Sequence, residues 1–402
     1  MRIEIIYNDL KDNESRSQIP LVISIILTER RENMNIKKNF IVVFVVTLIL
    51  IITGCSSNTP VENEVKTDTG SASENKVDTE TSAEDVENEA EGTETNVDVE
   101  YPIVISHAFG ETVIESKPER VATISWGNQD IPLALGVEPV GISMANYGVP
   151  DDSGLLPWTA KAFKELGVEN PVLFNDLTAI DYEAINDVKP DVILAAYSGI
   201  TSEEYEMLSQ IAPVVAYPES PWQTSWREQI IINATAMGME PQGKALVDEM
   251  ETLISQKSKE YSQIVGKSAA FFWFNPADLG TFYVYMPSDP RSAYLLDMGM
   301  IVPESVQTLA ETSESIAIEI SAENIDRLND VDIIITYGTE EFIDALQADA
   351  LLSTVPAVER GSVVVIPDGT PLAASGTPTA LSIPESIDEY LTLIETAAEL
   401  VE

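Results

Sequence analysis

Cys55 and His107 are the only cysteine and the only histidine in 402 residues. One thiol excludes an internal disulfide framework and any cluster of thiolate metal ligands. One imidazole removes most histidine-based catalysis, and no metal site is expected. Positive charge is the next shortage: 22 Lys and Arg stand against 67 Asp and Glu, a formal net charge of −45. That field repels a polyanion and excludes a nucleic-acid partner. A G-x-S-x-G nucleophile elbow is also missing, and a serine nucleophile would have only His107 as its base, so no catalytic residues are assigned and no enzyme is expected. Direct binding of free zinc or manganese is disfavoured for the same want of imidazoles.

The acids are unevenly spread. Residues 56 to 100 hold fourteen acids, two lysines and no aromatic residue. A segment of that composition cannot bury a core and reads as an extended, disordered tether; an acidic interaction tail is the other reading.

Directly before it stands "MNIKKNFIVVFVVTLILIITGC". Lys37 and Lys38 form a positive n-region, Phe40 to Ile52 a short apolar h-region, and small Gly54 precedes Cys55. The run is short for a spanning helix and lacks a basic stop-transfer cluster. "ITGC" resembles a bacterial lipobox, in which the cysteine sulfur takes diacylglycerol and becomes the mature N-terminus. Cys55 is thus read as a lipid anchor, since several acyl chains hold a protein on a membrane far better than one. Residues 1–33 do not fit ahead of such a signal. Met34 is the natural start, and 1–33 reads as an upstream extension of the gene model, with a second signal or membrane segment as the alternative.

From Tyr101 onward the pattern is α/β. "RVATIS" (120–125), "DVILAAY" (191–197) and "PVVAYP" (213–218) are short apolar runs without alternation, as in strands buried on both faces. "AAFFWF" (269–274), "FYVYM" (282–286), "DIIITYG" (332–338) and "SVVVIP" (362–367) repeat the theme, separated by helical stretches. Between the groups, Pro241 to Val265 predicts one long helix, about a domain across at 1.5 Å per residue. The expected fold is therefore two α/β lobes, 101–240 and 266–402, joined by a backbone helix over 241–265, with a ligand cleft between them.

The lobes echo each other in "EAINDVKPDVILAAY" and "ENIDRLNDVDIIITY". The echo sets Glu183 and Glu323 on equivalent helices and Tyr197 and Tyr337 at equivalent strand ends. Ligands in parallel α/β sheets bind beyond the carboxyl ends of strands, so the tyrosines are placed in the cleft and the glutamates away from it. Trp126, Trp222, Trp226, Trp273, Tyr283 and Tyr285 collect at other predicted strand ends. Asn128 and Arg291 supply the few polar groups such a pocket needs.

"KPERVATISWGNQDIPLALGVEPVGI", "KPDVILAAYSGITSEEYEMLSQIAPVVAYPESPWQTSWREQ" and "WFNPADLGTFYVYMPSDPRSAYLLDMG" resemble the iron–siderophore-binding lipoproteins of bacterial ABC importers, of the ferrichrome and vitamin-B12-binding type. The resemblance runs over most of residues 101–400. It implies a monomeric extracytoplasmic binding protein with two α/β lobes, one backbone helix and only small closure on binding. Iron would be held solely as a siderophore complex, with no cofactor. The resemblance also implies one exposed glutamate per lobe that docks on the permease dimer, here Glu183 and Glu323. One departure stands out: relatives for anionic ferric catecholates group arginines in the cleft, whereas residues 101–402 carry 13 basic against 47 acidic residues. Only Arg291 and Arg227 lie near the expected cleft, which favours a neutral or cationic ferric hydroxamate. The alternative ligands on this scaffold are cobalamin and haem, and His107 is poorly placed as a haem ligand.

Overall fold

The structure is a computed structural model that describes residues 99–401. The expectations for 1–33, the signal 34–54, Cys55 and the tether, up to its last two residues, lie outside the described residues.

A hairpin of β1 (Ile103–His107) and β2 (Gly110–Ile114) leads into the first lobe. There β3 (Val121–Thr123), β4 (Gly141–Ser143), β5 (Leu173–Phe174), β6 (Val192–Ala195) and β7 (Val214–Ala216) alternate with α1 (Asp130–Ala134), α2 (Pro157–Glu165), α3 (Tyr182–Asp187) and α4 (Ser202–Leu208). The sheet is parallel, in the order β5-β4-β3-β6-β7. Every residue of β6 is buried, as a strand covered on both faces requires. Strand order reverses between β3 and β6, so the crevice of this lobe opens at their carboxyl ends.

Helix α5 (Trp226–Ala236) then meets α6 (Glu240–Glu260), the backbone helix. Gly243 lets the two approach closely, because a Cβ there would stand 2.5 Å from Ala234 Cβ. At 21 residues, α6 is about 32 Å long. It stops five residues before the expected Val265: Tyr261 leaves helical geometry, and its hydroxyl is 3.1 Å from Thr392 Oγ1.

The second lobe comprises β8 (Ala269–Asn275), β9 (Asp278–Tyr285), α7 (Pro290–Asp297), α8 (Glu304–Ala310), β10 (Ala317–Ser321), β11 (Ile333–Gly338), α9 (Phe342–Ala348), α10 (Pro356–Arg360) and β12 (Val363–Pro367). Its sheet runs β10-β9-β8-β11-β12, with β8, β11 and β12 parallel and β9 antiparallel to both neighbours. The reversal again falls beside its first strand, between β8 and β11.

The last elements, α11 (Pro371–Ser375) and α12 (Ser382–Ala398), pack on β11 and β12 of the second lobe and also reach the first. Ala374 and Leu381 pack with Leu156, Trp158 and Trp126 of the first lobe. Thr379 hydrogen-bonds the buried Asp130 carboxylate, and Lys161 pairs with Glu385. Helix α12 then runs back along α6, where Lys257 Nζ meets Asp388 Oδ2 at 2.8 Å. The chain therefore crosses between the lobes a second time. One core cluster joins β3, β6, α5, α6, β8, β11 and α12, and two further clusters fill the outer faces of the sheets.

Candidate functional site

Both crevices open toward the same interlobe space, because side chains beyond β3, β4 and β6 reach those beyond β11 and β12. Tyr147, in the loop after β4, donates its hydroxyl to Asp368 Oδ1 at 2.6 Å and accepts from the Gly369 N–H at 3.2 Å. Its ring lies 6.4 Å from that of Tyr337 on β11. On another part of the rim, Gln223 Nε2 donates to Glu314 O at 3.2 Å.

The floor is aromatic. Tyr197, just past β6, is buried and meets the Trp222 ring edge-on, at 5.4 Å. Burial, reinforced by the nearby Asp289 charge, pushes the Tyr197 phenol up, so it stays protonated. Trp222 adopts φ +61, a left-handed conformation costly for a bulky side chain. Its indole lies on Gly199, where a Cβ would stand 2.2 Å from Nε1. That indole N–H is buried and has no hydrogen-bond partner among the described residues. From the facing lobe, Phe271 meets Tyr285 edge-on at 5.7 Å and lies tilted against Tyr337 at 4.9 Å. Trp273 and Tyr283 form a cross-strand pair 5.8 Å apart, and the Tyr283 hydroxyl donates to Glu319 Oε2 at 2.7 Å.

One guanidinium sits on this floor. Arg291, in the first turn of α7, lies 4.0 Å above the Tyr285 ring. Its Nε and Nη2 donate to the two carboxylate oxygens of Asp289 at 2.8 and 2.7 Å. Asp289 is wholly buried and also caps α7 through the Arg291 N–H at 2.9 Å. Burial works against the Arg291 charge, and the Asp289 carboxylate more than offsets it, holding the guanidinium protonated.

Of the expected site residues, Trp126 and Tyr197 follow β3 and β6, and Trp222 lies in the loop after β7. Trp273, Tyr283, Tyr285 and Tyr337 lie on β8, β9 and β11, and Arg291 stands in the first turn of α7. Two expected site residues do not serve in the floor. Asn128 is fully buried, donating to Ile124 O at 2.8 Å and Tyr197 O at 2.9 Å and accepting from Asn233 at 3.0 Å. Its amide is saturated by the job of holding together the splayed ends of β3 and β6. Trp226 is in the core, and its indole donates to Asp297 Oδ2 at 2.8 Å. Arg227 is likewise engaged, by Glu251 at 2.6 Å and Asp297 at 2.9 Å, so it is not a spare cation for a ligand. Glu183 on α3 and Glu323 in the 3-10 turn Ala322–Leu328 are both exposed. Each precedes the strand that flanks its crevice.

Tyr147, Asp289 and Asp368 were missed. Tyr147 carries the same signal as the others, an aromatic residue just past a strand, but "GIS" is too short to read as a strand. His107 is far from this role: Nε2 is 2.9 Å from Thr112 Oγ1, and the ring packs on Tyr205. Among the described residues no group of three His, Cys, Asp or Glu is arranged to hold a metal ion, and no helix is long and apolar enough to cross a membrane.

Residues 121–370 match the family model described as periplasmic binding protein. The chain belongs to this family. As a periplasmic binding protein it is similar to the solved PiaA of Streptococcus pneumoniae TIGR4 in complex with ferrichrome. The two share 50% identity with a TM-score of 0.73, over 75% of this chain and 100% of that one. It is 25% identical to the ferric-anguibactin-binding protein FatB of Vibrio anguillarum, over 71% of this chain and 86% of that protein. It is 23% identical, over the same shares, to the probable siderophore-binding lipoprotein YfiY of Bacillus subtilis.

Proposed function

We propose that this protein captures a neutral or cationic ferric hydroxamate siderophore in the interlobe cleft and delivers it to an ABC importer. The observation that carries the reading is the floor itself: a wall of Tyr and Trp whose single guanidinium is already met by a carboxylate. Half identity to a protein solved with ferrichrome supports the same ligand class. Aromatic side chains supply broad apolar contact with few rotors to freeze. The protein acts by binding and release, without chemistry of its own. Lipid on Cys55 would hold it to the outer face of the cell membrane as a monomer, and Glu183 and Glu323 would meet the permease dimer.

Titration of the full chain, purified in detergent, with ferrichrome tests this. Submicromolar binding is expected, on the order of −8 kcal/mol, with quenching of tryptophan emission. Trp222→Ala should cost roughly 2 kcal/mol, the scale of a central interface aromatic. Tight binding of cobalamin or haem, with none of any ferric chelate, would overturn the assignment.

A further inference from the structure

Resting on the functional reading above, we infer that Asp289 is the specificity-determining residue of the cleft. It masks the charge of Arg291 and so turns the one floor cation into a neutral hydrogen-bond donor. The geometry is two-point: both carboxylate oxygens are engaged by one guanidinium, at 2.7 and 2.8 Å. Asp289 is fully buried and Arg291 8% exposed, so water does little to separate the two charges. A buried monopole becomes a short dipole whose field fades quickly across the cleft. Donor capacity survives, because a guanidinium carries five N–H groups and Asp289 takes two.

The tyrosines do not restore the positive charge. Tyr285 lies beneath the guanidinium, and the phenols of Tyr197, Tyr285 and Tyr337 are all held protonated, chiefly by burial. The carboxylates Glu319 and Asp368 near the rim, which hydrogen-bond Tyr283 and Tyr147, add only negative charge. The site therefore offers donors and aromatic faces but no net positive charge. Three singly charged hydroxamates cancel the charge of ferric iron, whereas three doubly charged catecholates leave the complex strongly anionic. Such a floor accepts the first and rejects the second.

D289N tests this, because Asn keeps the shape and can keep the α7 cap while removing the negative charge. Affinities for ferrichrome and for ferric enterobactin are measured on the full chain, in wild type, D289N, D289S and the double variant D289N/R291Q. The wild type is expected to prefer ferrichrome. In D289N and in D289S, a second cap-keeping change, that ratio should move toward the catecholate by roughly tenfold or more. In the double variant the shift should vanish, because the unmasked cation is gone. A folded D289N or D289S with an unchanged ratio, or a shift that survives in the double variant, overturns the inference while leaving the functional reading intact. A wild type that binds neither complex overturns both.

Discussion

Asp130 is a carboxylate shut away from the protein surface. It is fully buried, and its oxygens accept from Trp158 Nε1 at 3.1 Å, Thr159 Oγ1 at 3.0 Å, Gln129 Nε2 at 3.2 Å and the Thr379 hydroxyl. Burial raises its pKa from 3.8 to about 6, and the four donors only partly oppose the shift. The folded state thus binds this proton more tightly than the unfolded chain does. The stabilisation is fully present below about pH 4 and is lost as pH rises through about 6. Its full size is on the order of 3 kcal/mol, two pKa units at 1.4 each. Asp130→Asn has no such titration. The stability of wild type relative to Asp130→Asn should therefore rise as pH falls from 7 to 4, in denaturant melts at each pH. A difference that stays flat across that window would sink this account. The same residue shows why the last crossing was hard to read, since its partner Thr379 is 249 positions away and nothing local announces the pair.

At the scale of elements, sequence carried most of the architecture. Buried strands such as β6 and β11 are unbroken apolar runs, and their helices follow a different period, so two α/β lobes were legible. The proposed cleft rests in sequence on aromatics beyond strand ends. Trp226 was misread because "YPESPWQTSWREQ" looked like one loop. Ser225 and Glu228 form a capping box that starts α5 at Trp226, a Ser-x-x-Glu signature that points to a helix start. Once helical, Trp226 faces the core and Asp297. Asn128 failed differently, because an amide looks the same in sequence whether it meets a ligand or ties two strands. Glu183 and Glu323 are exposed on the elements before β6 and β11. Single alanine substitutions there should change ferrichrome affinity by less than about twofold, yet lower uptake in cells at least several-fold, since matched charges set docking register. Loss of affinity by about tenfold, or 1.4 kcal/mol, in either variant would place that glutamate in the site instead.

For the whole molecule, the proposed lipid on Cys55 and the tether expected behind it would decide where the cleft works. Cys55→Ala should release the protein from the membrane fraction or leave it unprocessed, as read by fractionation and intact mass. Mature protein that retains residues 34–54 with an unmodified thiol would refute the anchor. Within residues 99–401, the lobes are spanned twice, by α6 and by α12 packed beside it. Two struts side by side resist both twisting and wide opening. Lobes held on such a frame would lose little conformational entropy when ligand enters. The cost appears on the way out. A ligand held between stiff lobes would then leave slowly, so residence time, more than capture rate, would set the affinity. Unloading would then need mechanical work from outside, supplied by the importer the protein is proposed to serve.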